Sequence, residues 1–210
     1  MKKQLFPLVL TFLLFSFSSA DAQFKHFGEY HPKIGAGVKA GLNFSDQSTP
    51  GGTTNVDVED ILRINGGVYF NYFLFDFLAI QPELMISGKG AHWKDQFYNA
   101  SDILTYIDVP IFIRYQPVKL INVHAGPEFG YRVGAIQKNL ENGQKTNISE
   151  YYKTTDFGLA FGVEANLPPN INVTIRYVLG LITVTTNNQY NEPWKNNFFQ
   201  LSVGYRLFGR

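Results

Sequence analysis

Eight segments of the chain alternate between apolar and polar residues for about ten residues each, and this period of two constrains the fold most strongly. Residues 34–44 show it clearly: Val38, Ala40 and Leu42 share one face, while Lys39 and Asn43 share the other. A transmembrane β-barrel turns an apolar face to lipid and encloses a polar face, and alternating segments of this length are typical of it. The sequence therefore predicts an all-β fold, an eight-stranded antiparallel up-and-down transmembrane β-barrel.

All eight predicted strands keep their charged residues on the polar face. The predicted strands are residues 34–44, 62–72, 78–90, 103–115, 121–133, 155–166, 171–183 and 198–208. Their charged residues are Lys39, Arg63, Glu83, Lys89, Asp108, Arg114, Glu128, Arg132, Asp156, Glu164, Arg176 and Arg206. A lysine or arginine facing lipid at mid-membrane costs about 2–4 kcal/mol, so we expect these side chains to face the lumen.

The connections between the predicted strands alternate between short and long. Residues 73–77, 116–120 and 167–170 form short connections, whereas residues 45–61, 91–102, 134–154 and 184–197 form long polar ones. Outer-membrane barrels have short periplasmic turns and longer extracellular loops, so the alternation predicts that both termini are periplasmic. Pro82, Pro110 and Pro127 fall inside predicted strands, where each removes a backbone donor, and we expect bulges in the neighbouring strands to accommodate them.

The N-terminal residues have the pattern of a cleavable signal peptide. Lys2 and Lys3 precede the apolar residues 5–17, and Ala20-Asp21-Ala22 forms an A-x-A cleavage site. The apolar stretch is too short to span about 30 Å of hydrocarbon as a helix. We expect a signal peptide at 1–22, a periplasmic segment at 23–33 and an outer-membrane barrel domain at 34–210, in a Gram-negative bacterium. There is no cysteine, so disulfides are excluded.

The net charge of the chain without residues 1–22 limits which classes of partner it can bind. Loss of residues 1–22 removes two lysines and one aspartate, so the 18 basic and 17 acidic residues of the chain become 16 of each. A neutral chain argues against a nucleic-acid partner, which requires a basic excess. The expected partners are outer-membrane lipid, lipopolysaccharide and other envelope proteins, and no cofactor is expected.

Three stretches of sequence resemble a known family. Residues 106–115, Tyr-Ile-Asp-Val-Pro-Ile-Phe-Ile-Arg-Tyr, fit a Y-x-(D/E)-x-P-x-x-x-(K/R)-Y strand, and residues 35–43 and 125–131 fit a first and a fifth strand. This pattern is similar to that of the PorT-like outer-membrane β-barrel proteins of the Bacteroidota. The resemblance implies the same barrel and a role in the envelope, and the namesake of the family takes part in secretion and gliding machinery. The chain differs at its end, because Gly209 and Arg210 follow Phe208.

The inward charges have two interpretations. An eight-stranded barrel is just wide enough to be filled by its own side chains, and buried charges normally persist only when they are paired. We therefore favour a compensated plug over a proton or ion path. The expected network contains Lys39, Glu83, Asp108, Arg114, Glu128, Arg132, Glu164, Arg176 and Arg206. Glu83, Asp108 and Glu128 would repel one another unless Lys39, Arg114 or Arg176 reaches across the lumen.

A catalytic role is the alternative from a different class. His92 lies near the expected outer rim, and Asp95 and Ser101 share its long loop. A nucleophile and its base must be held rigidly, and a loop does not do this, so we predict no catalytic or metal-binding residues and no enzyme activity. The other alternative is a narrow pore.

Aromatic residues in the long connections are candidates for recognition, because interface surfaces are enriched in them. The candidates are Trp93, Tyr98, Tyr151, Tyr152 and Trp194. Rings at the bases of the loops could equally anchor the barrel at headgroup level. The sequence thus predicts a small barrel with a plugged polar lumen, which acts through its extracellular loops or as a subunit of an envelope complex, with secretion as one such setting. The alternatives are a lipid- or peptide-modifying enzyme at the rim or a narrow pore.

Overall fold

The computed structural model describes residues 33–48, 57–95, 98–186 and 193–209. The predicted signal peptide and residues 23–32 of the predicted periplasmic segment lie outside the described residues. Within the described part, the strands are β1 (Ile34–Ser48), β2 (Asp57–Glu59), β3 (Ile61–Phe75), β4 (Leu78–Asp95), β5 (Tyr98–Val118), β6 (Ile121–Asn139), β7 (Lys145–Asn147), β8 (Thr155–Leu167), β9 (Ile171–Gly180) and β10 (Lys195–Phe208). A 3-10 helix spans Ser149–Tyr151.

The eight long strands close into a barrel. Each pairs antiparallel with the next in the order β1, β3, β4, β5, β6, β8, β9 and β10. β1 also pairs with β10, with Val38 opposite Tyr205 and Leu42 opposite Leu201, and this pairing closes the ring. The predicted eight-stranded antiparallel up-and-down barrel is confirmed.

The two faces of the wall separate apolar from polar side chains as the alternation predicts. On the outer face Ile64 is 75% exposed and Ile86 is 64% exposed, whereas Lys39 and Glu83 on the inner face are buried. Aromatic rings on the outer face contact one another across strands, as Tyr177 does with Phe199 at 4.7 Å between ring centroids. The core of the protein is therefore the inside of the barrel, and it is largely polar.

The short turns at 76–77, 119–120 and 168–170 lie at one end of the barrel, which we call the turn end. At the opposite end, the strands extend further than predicted. The prediction of a long loop at 91–102 is wrong, because β4 and β5 stay paired through Trp93 and Ala100 up to Asp95 and Tyr98. β2 pairs with the end of β4, and β7 pairs with the end of β6. These five strands form a sheet that extends beyond the rest of the wall, which we call the sheet extension.

The three strand prolines are accommodated without the bulges that were predicted. Pro110 lies opposite Glu128, and the register is unchanged where pairing resumes at Ile113 opposite Ala125. Pro82 likewise keeps the β4–β5 register. Each missing N–H removes a donor without shifting the strands. Register shifts occur elsewhere, including one between Thr105 and Tyr106 of β5.

Gly126 allows a close approach between strands beside Pro127. A Cβ atom at Gly126 would collide with the backbone carbonyl oxygen of Ile111. Only a glycine leaves room for that oxygen, so the residue next to the proline is fixed by sterics.

No helix in the described ranges is long and apolar enough to cross a membrane.

Candidate functional site

The lumen near the turn end is filled by a group of ion pairs that we call the lower network, made of Lys39, Glu83, Arg114, Glu164 and Arg176. Lys39 Nζ lies 3.1 Å from Glu83 Oε1 and 3.4 Å from Glu164 Oε2. Arg114 Nη2 lies 3.3 Å from Glu164 Oε1. These side chains come from β1, β4, β5, β8 and β9, so the network crosses the lumen rather than following one wall.

Arg176 and Glu83 form the best-defined pair of the lower network. Arg176 donates from Nη1 to Glu83 Oε2 at 3.0 Å and from Nη2 to Glu83 Oε1 at 2.9 Å. This paired geometry is the strongest form of arginine–carboxylate contact. The guanidinium also lies 4.2 Å from the centroid of Phe112, and its Nε donates to His124 Nε2 at 3.2 Å. Both charged groups are fully buried, so each provides the compensation that the other requires.

Glu164 is held by neutral donors as well as by cations. Thr174 Oγ1 donates to Glu164 Oε2 at 2.9 Å, and Asn122 Nδ2 donates to Glu164 Oε1 at 3.1 Å. Together with Lys39 and Arg114, these donors satisfy both oxygens of the carboxylate. A buried carboxylate with this many donors is a structural anchor and has little freedom to bind an ion.

A second group, the upper network, lies further from the turn end and surrounds one ammonium. Lys89 Nζ is 3.1 Å from Asp108 Oδ1, 3.1 Å from Glu128 Oε1 and 3.3 Å from Asp156 Oδ2. The rings of Tyr106 and Phe198 lie 4.7 and 4.9 Å from the same nitrogen. Lys89 therefore meets three carboxylates and two aromatic faces, and it is buried.

The two networks differ in formal charge. The lower network has three cations and two anions, and the upper network has one cation and three anions. Lys89 is the one cation with an ion pair to the carboxylates of the upper network in the described part of the chain. Its loss would leave three buried acidic groups without a positive partner.

The structure joins most members of the predicted charge network in ion pairs, and two members make other contacts. The lower and upper networks contain seven of the predicted residues, but Arg132 and Arg206 form no ion pair among the described residues. Arg206 instead donates to Asn170 Oδ1 at 3.2 Å. The sequence predicts that Lys89 and Asp156 face inward, and the structure adds them to the network. The alternation with a period of two predicts that their side chains face the lumen. Their partners lie on other strands and are set by how the barrel closes.

An apolar cluster covers the upper network at the end away from the turns. Tyr106 is shared with the upper network, and the cluster consists of Leu104, Tyr106, Ala135, Ile148, Tyr152 and Val184. Beside it, the rings of Trp93 and Trp194 make an edge contact with centroids 4.7 Å apart. We call these residues the apolar cap, and they lie above the ion pairs, further from the turn end.

Four hydrogen bonds hold the chain segment of the cap in place. Arg132 donates to three backbone carbonyl oxygens, those of Ser149 at 3.0 Å, Tyr152 at 2.9 Å and Lys153 at 3.1 Å. The Tyr152 hydroxyl donates to Asp102 Oδ2 at 2.6 Å. The segment around the 3-10 helix is thus fastened to β5 and β6, which explains why Arg132 is not part of an ion pair.

The aromatic candidates for loop recognition are mostly enclosed. Trp93 lies within β4 and not in a loop as predicted, whereas Tyr152 and Trp194 lie in connections between strands. All three side chains are buried in the apolar cap. Tyr151 is partly buried against the cap. Tyr98 begins β5, and its side chain lies outside the described part of the structure. Residues 91–102 form part of the barrel wall and not a loop because β4 and β5 stay paired there, and in this pairing the Trp93 side chain faces inward.

The structure brings together two of the three residues of the catalytic alternative. His92 and Ser101 lie opposite each other on β4 and β5, and His92 Nδ1 is 2.9 Å from Ser101 Oγ. Both residues are on strands, not in a loop. Among the residues described, no carboxylate forms an ion pair with His92, and the side chain of Asp95 lies outside them. The contact is a cross-strand hydrogen bond on the outer face.

The barrel contains a small cavity. A cavity of about 10 Å³ lies at the turn end, lined by residues that include Tyr69, Asn71, Arg114 and Arg206. This volume corresponds to about one water molecule. In the described ranges, no group of three or more His, Cys, Asp or Glu residues is arranged to hold a metal ion.

Comparisons with known proteins cover most of the chain. Residues 19–186 match the family described as outer membrane protein beta-barrel domain. Neisserial surface protein A is similar in structure, with 12% identity, a TM-score of 0.51, and coverage of 84% of this chain and 99% of that chain. Ail of Yersinia pestis has 12% identity, a TM-score of 0.49, and coverage of 84% and 100%. OprG from Pseudomonas aeruginosa has 10% identity, a TM-score of 0.41, and coverage of 84% and 95%. No curated protein matches.

Proposed function

Because the chain belongs to the outer membrane protein beta-barrel domain family, we propose that this outer-membrane barrel is a closed, non-conducting protein. It acts through its sheet extension or as a subunit of an envelope complex. The observation that carries the proposal is the filling of the lumen by two ion-pair networks and an apolar cap. A side chain network of this kind leaves no continuous water path through the barrel.

Three successive layers support a plug over a pore. Near the turn end, Arg176, Glu83 and Lys39 cross the lumen through contacts of 2.9 to 3.1 Å. Further along, Lys89 contacts three carboxylates, and above it the apolar cap excludes water. An ion that entered would have to break these buried ion pairs, and removing one member of a buried pair is strongly unfavourable.

Planar bilayer recordings test this proposal. We expect the purified full chain to insert without single-channel conductance at neutral pH, because each layer blocks the lumen. A refolded sample that shifts in mobility between unheated and boiled gel samples serves as the control for insertion-competent protein. Reproducible unitary currents from such a sample would overturn the plug and support the narrow pore.

The orientation we propose places the turns and both termini in the periplasm of a Gram-negative cell. It is supported by turn length: β3–β4, β5–β6 and β8–β9 are joined by short turns, and the sheet extension lies at the other end. A protease-cleavage site inserted next to Gly143 should be cut when protease is added to whole cells, whereas one inserted next to Asp76 should be cut only after lysis. The reverse pattern would invert the orientation while leaving the barrel unchanged.

The sequence supports a narrower family assignment for this barrel. We propose that it is PorT-like and non-enzymatic, with lipopolysaccharide, outer-membrane lipid and envelope proteins as partners. Support comes from the Tyr106, Asp108, Pro110, Arg114 and Tyr115 pattern, which β5 carries as one continuous strand. Crosslinking of envelopes followed by capture of the tagged chain would identify protein partners.

A further inference from the structure

One row of side chains crosses the outer face of the sheet extension. In the observed register, His92 of β4 lies opposite Ser101 of β5, Ser101 lies opposite Lys138 of β6, and Lys138 lies opposite Lys145 of β7. Strands lie about 4.8 Å apart, so the row is roughly 14 Å long. We call these four residues the donor row, because hydroxyl, imidazole and ammonium groups can all donate hydrogen bonds.

Lys138 and Lys145 form an unusual pair. They are directly opposite each other on neighbouring strands, an arrangement in which like charges destabilise a sheet. Neither forms a salt bridge within the described residues, and Lys145 is exposed. Lys94, also exposed, shares the outward face of β4 with His92, but it lies opposite Asp57 of β2 and is not counted with this pair. Repulsion between adjacent cations is removed when an anion lies between them, so this pair fits an anionic ligand.

The acidic groups around the row leave its lysine end positive. Glu59 of β2 lies opposite His92, at the end of the row away from the lysines. Asp102 and Gln137 of the next row face inward and bond to each other, with 2.8 Å between Gln137 Nε2 and Asp102 Oδ1. Glu141 lies in the exposed turn between β6 and β7. An anion would therefore bind around Ser101, Lys138 and Lys145.

The position of the row identifies the source of the anion. Ser101 is on the outward face of β5, six residues along the strand from Ile107, which is exposed on the apolar belt. With a rise of about 3.3 Å per residue and a tilt of about 40°, this is roughly 15 Å beyond Ile107 along the barrel axis. Below the row, Ile103 and Ile136 face each other and continue the apolar surface. The row thus lies beyond the hydrocarbon and faces sideways, towards the molecules that surround the barrel.

We propose that the donor row binds phosphate groups on the saccharide part of lipopolysaccharide, with Lys138 and Lys145 holding the phosphate and Ser101 donating beside them. This deepens the proposed function, and it rests on the orientation that places the sheet extension outside the cell. The row lies roughly 20 Å from the level of Val109, which is the level of lipid headgroups. In the proposed orientation this is the outer leaflet, so the phosphate is that of lipopolysaccharide, and the phosphatidylglycerol measurement below tests this choice of lipid.

The test compares two double variants of the full-length protein. One carries both Lys138→Ser and Lys145→Ser, and the control carries both Lys33→Ser and Lys119→Ser. Lys33 and Lys119 are exposed at the turn end, so the control loses the same charge. Binding is measured in detergent with lipopolysaccharide, with the same lipopolysaccharide after enzymatic dephosphorylation, and with phosphatidylglycerol. The heat-dependent gel shift of each variant shows that the barrel is intact.

We expect the Lys138 and Lys145 double variant to bind phosphorylated lipopolysaccharide at least about tenfold more weakly, because two charge-assisted contacts are lost. The control should bind as the original does, and Lys138→Arg with Lys145→Arg should retain binding. Dephosphorylation should weaken binding to the original chain by a similar factor. Equal affinity of the folded double variant, or undiminished binding after dephosphorylation, would overturn the site. Either result would leave the non-conducting barrel unaffected, since conductance tests that separately.

Discussion

Replacement of Lys89 by methionine is expected to prevent or severely weaken folding of the barrel at neutral pH. Lys89 is the ammonium at the centre of Asp108, Glu128 and Asp156, all within 3.3 Å. Methionine has a similar length but no charge, so three carboxylates would be left buried together. Removing one partner of a buried ion pair costs about 3–5 kcal/mol, and here one cation serves three anions. The folded fraction, measured by the heat-dependent gel shift in lipid vesicles, should fall accordingly.

A matched control and a rescue variant separate charge from packing. Lys119→Met removes an exposed lysine at a turn and should change the free energy of unfolding by less than about 0.5 kcal/mol. Adding Asp108→Asn and Asp156→Asn to Lys89→Met removes two of the stranded charges and should restore part of the folded fraction. If Lys89→Met folded as well as the Lys119→Met control, the upper network would not be the structural plug inferred from its distances.

Much of the fold follows from the sequence because one physical constraint acts along each strand. A membrane wall has only two faces, so the period of two places Ile64 outward and Lys39 inward without any knowledge of their neighbours. The ends of strands are not constrained in this way. Beyond the membrane, both faces of β4 and β5 can be polar, so residues 91–102 have no lipid-facing apolar run and their sequence predicts a loop. Pairing of Trp93 with Ala100 continued the strands there.

The candidate site was less predictable because its contacts join distant strands. The alternation showed that Glu83 faces inward, but the pairing with Lys39 and Arg176 depends on how the eight strands are staggered around the barrel. Lys89 lies on the same face as Glu83 and was placed correctly, but its three partners come from β5, β6 and β8. A single register shift near Arg132 changes which residues of β6 face outward beyond it, and this is why Lys138 joins the donor row.

Val109→Arg is expected to destabilise the barrel by about 2–4 kcal/mol or to block its assembly, because it places a charge on the lipid face near mid-membrane. Val109 lies on the outer face of β5 opposite Phe129, whose ring is exposed on the same face. An arginine there has no carboxylate within the apolar belt of the described wall to pair with. The free energy of unfolding, measured by urea titration in phospholipid vesicles, should show the loss directly.

Asp108→Asn is the matched change one residue away, and its expected effect is smaller. Asp108 faces inward, where Lys89 Nζ donates to Oδ1 at 3.1 Å, and an asparagine oxygen can still accept that hydrogen bond. The substitution also removes one of three carboxylates around a single ammonium, which reduces repulsion with Glu128 and Asp156. The contrast between the two variants depends on the face each residue occupies, since both changes lie at the same height. A folded Val109→Arg barrel beside an unfolded Asp108→Asn barrel would mean that β5 is shifted by one residue, and the upper network and the donor row would then both be misplaced.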